Sequence, residues 1–171
     1  MDIEQELGRE HSKEMTLKIA AWIGSDTSRL DAFMRVYLTG DPLITQRAAW
    51  VLGTIGDHHA ALLQPYLKKL IAMMKRPGVH PAVKRNTVRL LQTIEIPKSL
   101  LGTVTNLCFD FLTSPKETIA VKVFSMTVLA RIARQEPDLE KELRLVVAQQ
   151  LPLAGGAFRS RARHVLRMTA E

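Results

Sequence analysis

Residues 41–56 read DPLITQRAAWVLGTIG, and this stretch decides the fold. Asp41-Pro42 is a helix-start signal, because proline fits the first helical position, where its missing N–H has no partner to lose. From there Ile44, Ala48, Val51, Leu52 and Ile55 follow the i, i+4, i+7, i+8, i+11 spacing of one helical face. A shift of 39 residues lands the same spacing on Val83, Thr87, Leu90, Leu91 and Ile94. A further 38 gives Val121, Ser125, Val128, Leu129 and Ile132, and 37 more gives Phe158, Ala162, Val165, Leu166 and Thr169. The second position of each set is small (Ala48, Thr87, Ser125, Ala162), as a close approach of two helices requires. Self-similarity at this period is the mark of a repeat protein.

A second helix precedes each of these. Leu30, Met34, Tyr37 and Leu38 recur as Leu63, Leu67, Leu70 and Ile71, then as Leu100, Val104, Leu107 and Cys108, then as Leu139, Leu143, Val146 and Val147. Turn and start signals fall between them, among them His80-Pro81, Ser114-Pro115, Pro137-Asp138 and Gly155-Gly156. The spacing predicts helix pairs at about 28–56, 57–95, 97–133 and 137–169. Met15, Ile19, Trp22 and Ile23 share a face and predict an N-terminal helix over 12–24 that caps the open end of the stack. Residues 1–11 are acidic, lack a sustained apolar face, and are expected to be mobile.

Asp41-Pro42, Arg47-Ala48-Ala49, Leu52-Gly53 and Ile55-Gly56 together resemble the second helix of a HEAT repeat. The resemblance is closest over 41–56 and extends over 28–169 as a pattern. It implies an all-α fold, a right-handed α-α superhelix: a short HEAT/armadillo-like solenoid of about four helix pairs plus the capping helix, forming one domain over 1–171. In HEAT proteins the Asp and Arg form ladders between neighbouring repeats, which implies a structural role for Asp41 and Arg47. Later repeats depart from the pattern, with His80 and Asn86 and then Phe124 in those places.

In HEAT-like arrays the second helices line the concave side, and the resemblance places a binding surface there. At about 100° per residue, the face opposite the core falls on positions 46, 49, 50 and 53 of the first such helix. Across the repeats these are Gln46, Ala49, Trp50 and Gly53; Arg85, Val88, Arg89 and Gln92; Val123, Met126, Thr127 and Ala130; and Ser160, Arg163, His164 and Arg167. Lys84, Lys122 and Arg159 add charge along one flank. The candidate binding residues are therefore Trp50, Lys84, Arg85, Arg89, Lys122, Met126, Arg159, Arg163, His164 and Arg167. Two readings stand for each group. Trp50 is either an exposed aromatic anchor or half-buried against the next repeat. Arg85 and Arg89 are either contacts or a solvated face, and the arginines of the last helix are either contacts or the polar surface a terminal helix shows to water.

The chain carries a net charge of +7, unevenly spread. Residues 1–41 hold five Lys/Arg against eight Asp/Glu, and residues 42–136 hold thirteen against five. A basic body fits an anionic partner or serves solubility alone. One cysteine, Cys108, excludes an internal disulfide framework and a cysteine-rich metal site, and fits a cytoplasmic setting. It occupies a core column and is expected to be a buried, inert thiol. No apolar run is long enough to span a membrane.

No motif compels catalysis. There is no glycine-rich phosphate loop, no GxSxG elbow and no paired-carboxylate signature. Adjacent His58-His59 point apart on a helix and have no ligand at i+3 or i+4, so no metal is expected, and no cofactor. Certain DNA-repair glycosylases are HEAT-like, but the concave set here has no Asp or Glu to stabilise positive charge at a sugar. The expected function is a non-catalytic scaffold for a protein partner; the alternative is a nucleic-acid-binding module using the same basic groove.

Overall fold

A computed structural model describes residues 1–168, which fall into two compact units, the first Met1–Glu95 and the second beginning at Ile96.

The first unit contains α1 (Ile3–Arg9), α2 (Lys13–Ile23), α3 (Thr27–Thr39), α4 (Pro42–His59), a 3-10 stretch over Ala60–Tyr66, α5 (Leu67–Met74) and α6 (Pro81–Leu91). Its centre is α4, which lies between α2 and α6 and carries α3 against it, while α5 packs on α6. The helix starts are built by side chains that satisfy otherwise unpaired amides. Asp2 accepts from the amide of Gln5, Ser12 from Met15, and Asp26 from Arg29. Asp41 accepts from both Leu43 and Ile44, and His80 Nδ1 from Ala82. Gly24 ends α2 at φ +50, a conformation open to glycine at little cost.

The second unit contains α7 (Lys98–Thr113), α8 (Ile119–Ala133), α9 (Pro137–Gln150), a short 3-10 turn over Leu151–Leu153, and α10 (Gly156–Met168). Here α8 is central and packs against α7, α9 and α10. Thr118 caps α8 by accepting from the amide of Val121. Thus Asp41, His80 and Thr118, which share one place in the repeat, all cap the helix that follows them.

The periodic columns are the core. Ala48, Thr87, Ser125 and Ala162 have no exposed surface, and Ile44, Val83, Val121 and Phe158 are buried beside them. Among the first helices of each pair, Leu38, Leu100, Leu139 and Val146 are only half-buried. Thr169, the last member of the pattern, lies outside the described residues.

Two elements differ from the sequence expectation. Residues 3–9 form a helix with Ile3 and Leu7 buried, where mobility was expected. Its apolar face is that single i, i+4 pair, too short to register as a period. The first helix of the second pair is also reduced. Pro65 lacks an N–H and its ring clashes with the preceding turn, and the chain runs as a 3-10 stretch until Leu67. Among the described residues no helix is long and apolar enough to cross a membrane.

Candidate interaction surface

Two glycines of α4 set how the second helices meet in the first unit. A Cβ on Gly53 would collide with Asn86 Oδ1, and one on Gly56 would come within 3.0 Å of a Leu90 methyl. Position 53 therefore faces the next helix rather than solvent. Ala49, Gly53 and Val88 are all buried, as are Val123, Met126 and Ala130 in α8. The expected concave face is corrected accordingly. A helix inside an array has neighbours on its flanks as well as a core behind it, so its exposed stripe is narrower than the half opposite the core and rotated away from it.

What remains exposed can be placed residue by residue. Met126 has no exposed surface and is a core residue, not a contact residue. Trp50 is half-buried, with the His11 ring edge-on to it at 5.6 Å between centroids. Arg85 is exposed. Arg89 is half-buried and pairs with Asp57 at the end of α4, so its charge is already matched. Lys84 is half-buried. In the second unit Lys122 is half-buried, and Arg159, Arg163, His164 and Arg167 are exposed on α10. Arg159 also donates to the carbonyl of Pro152 at 3.4 Å.

The Asp/Arg pair acts structurally, but not as a ladder. Asp41 binds the amides of its own helix. Arg47 reaches α1 instead, donating to the carbonyls of Leu7 and Gly8 at 2.6 and 3.0 Å. Arg161, in the same repeat position, donates to Thr127 Oγ1 at 2.9 Å and ties α10 to α8. In that position Asn86 donates to Ala82 O within its own helix.

One feature of the first unit has no counterpart among the expected residues. A groove of about 400 Å³ opens where α4 and α6 begin, walled by Pro42, Leu43, Met73, Pro77, Val79 and Val83. Leu43 stands at it with 49% of its surface exposed, and Arg76 and His80 border it. The helical period alone could not point to it, since its walls come from two helix starts and the end of a third.

Titratable groups are perturbed by burial, not by one another. Burial pushes the Cys108 thiol up to about 12, and the Ser125 hydroxyl beside it offsets only part of that. Burial likewise raises the Tyr37 phenol, opposed weakly by the neighbouring Thr87 hydroxyl, which lies outside good hydrogen-bond geometry. Desolvation lowers Arg131. Among the described residues no three His, Cys, Asp or Glu side chains gather as metal ligands. His58 and His59 border a separate cleft with Leu17, Ala20 and Ala21.

The repeat columns, the caps and the glycine contact are accompanied by a match to the HEAT repeat domain model over residues 3–167. The chain belongs to the HEAT repeat family. No curated protein and no solved structure matches it. The matched span of this HEAT-repeat chain includes α1.

Proposed function

We propose that this HEAT-repeat chain is a non-catalytic scaffold that holds a protein partner. The observation that carries the proposal is the groove beside Leu43. An apolar cleft of about 400 Å³ next to a large exposed apolar side chain is the kind of place an anchoring side chain of a partner fills. The non-catalytic reading accords with the place of the two most strongly perturbed side chains: Tyr37 and Cys108 lie in the core, closed to a substrate. Trp50 and Arg85 serve as additional contacts on the face of the second helices. A cytoplasmic setting accords with a lone, buried thiol.

Chemical crosslinking and affinity capture from native lysate, with and without nuclease, test this. Nuclease-resistant capture of a defined protein is expected; captured material that disappears with nuclease overturns the scaffold assignment.

A second reading has its own observation. Over Gly156–Met168, α10 carries four arginines and no acidic residue, with Arg159, Arg163 and Arg167 exposed. This strip fits phosphate contacts of a nucleic acid. A mobility assay at low and high salt decides it, because phosphate contacts give a log–log salt slope that shrinks by about one for each arginine removed.

A further inference from the structure

We propose that the groove where α4 and α6 begin receives an acidic segment of the partner protein, with one apolar side chain in the groove and carboxylates over the surrounding cations. This rests on the protein-scaffold reading above. From His58 to Ile94 the chain has seven Lys/Arg and no Asp or Glu, so the repeat over 57–95, closed by Asp57 and Glu95, carries a net charge of +5 of the chain's +7. Lys68, Lys69, Lys75 and Arg76 follow i, i+1, i+7, i+8 spacing along α5 and its end, and all four are exposed. Arg76 is both the end of that stripe and part of the groove wall.

The nearby carboxylates offset this field only in part: Asp41 caps α4, Asp57 pairs with Arg89 and Asp31 shares a cleft with Lys69, and the seven cations outnumber them. A fully apolar peptide would make no use of the exposed charges of Lys68, Lys69, Lys75 and Arg76. A nucleic-acid strand would match them and leave the groove unfilled, since no Phe, Tyr or Trp lines it for a base to stack on. An acidic segment with an apolar anchor satisfies both parts, with the charge steering encounter and the anchor holding the complex.

Fluorescence anisotropy on the full chain tests the assignment. The probe is a blocked, fluorescein-labelled dodecapeptide of Asp, Glu and Gly with one central Leu. Its comparisons are the same peptide with Ser in place of Leu and an oligothymidylate of equal charge. The Leu peptide is expected to bind with salt-sensitive affinity, and the Ser peptide about tenfold more weakly or worse. The Lys75→Glu/Arg76→Glu pair, and separately Leu43→Ser, should each weaken the Leu peptide by about tenfold or more while melting as the wild type does. Arg134→Glu, an exposed change in the second unit, should leave binding unaltered. Failure of the Leu peptide to bind, equal binding of the Ser peptide, or tighter binding of the oligothymidylate overturns the proposal. Capture from lysate separates the two levels. A nuclease-resistant partner retained equally by the Lys75→Glu/Arg76→Glu pair removes the groove but keeps the scaffold; loss of all wild-type capture on nuclease treatment removes both.

Discussion

The guanidinium of Arg47 donates to the carbonyl oxygen of Leu7 at 2.6 Å, joining two residues forty positions apart in the chain. The same nitrogen reaches Gly8 O at 3.0 Å, so one side chain satisfies two carbonyls near the end of α1. Hydrogen bonds to charged groups contribute about 1.5–3 kcal/mol, and the site is only partly buried, so Arg47→Ala should cost about 1–2 kcal/mol. Hydrogen exchange should show the amides of 3–9 losing protection before those of α4. Uniform protection in the variant would mean that α1 is held by Ile3, Leu7 and the Glu6–Lys18 pair without Arg47.

The small column is a contact between packed helices. Ala48 and Ala162 have no exposed surface, so Ala48→Leu or Ala162→Leu should cost about 1–3 kcal/mol through overpacking. Thermal melts read this directly, and an unchanged midpoint for either would displace that residue from the contact.

Gly53 and Asn86 should behave as a coupled pair. Alanine favours a helix over glycine by about 1 kcal/mol, yet Gly53→Ala is expected to destabilise because its Cβ meets Asn86 Oδ1. That oxygen has no hydrogen-bond partner, so Asn86→Ala sacrifices little at this end of the amide and clears the space. The double variant should recover most of the loss in a denaturant-melt cycle; simple additivity would show that the contact relaxes by other means.

Much of this was legible in the sequence, and the failures have a common cause. Ile44, Ala48, Val51 and their repeats could be read because burial behind a helix leaves a regular period. Met126 and Ala130 were misplaced because flank burial in an array has the same apolar signature as an open groove. Arg89 reads either as a contact or as a solvated face, and its pairing with Asp57 is invisible because that partner stands 32 positions away, on α4. Ile3 and Leu7 gave too short a period to see. The groove beside Leu43 is formed by segments remote in sequence, and only the acid-free run around it leaves a mark in the composition.

Cys108 should resist modification in the native protein. Burial holds its thiol near 12, above its ordinary value, so the native state keeps a proton that the unfolded chain gives up first. The contribution is intact below the unfolded thiol's value of about 8.5 and is lost as pH rises from there towards 12, at about 1.4 kcal/mol per pH unit. Tyr37 acts in the same direction at still higher pH. Reaction with Ellman's reagent at neutral pH should run at the rate of unfolding, and prompt native labelling would show the thiol to be accessible.

Gly53 and Gly56, one turn apart in the middle of α4, each weaken that helix by about 1 kcal/mol relative to alanine. Detached from the rest of the chain, the segment 42–59 would therefore favour a helix poorly despite its strong start at Asp41. The absence of side chains at those two points is also what lets α6 settle against it, with Asn86 and Leu90 filling the space. Helix formation in one repeat is thus coupled to the arrival of the next: α4 becomes fully ordered only in company. The cost in local propensity makes α4 lean on α6 as well as on α2 and α3, so a chain truncated before Pro81 should hold α4 with weaker hydrogen-exchange protection than the full chain does.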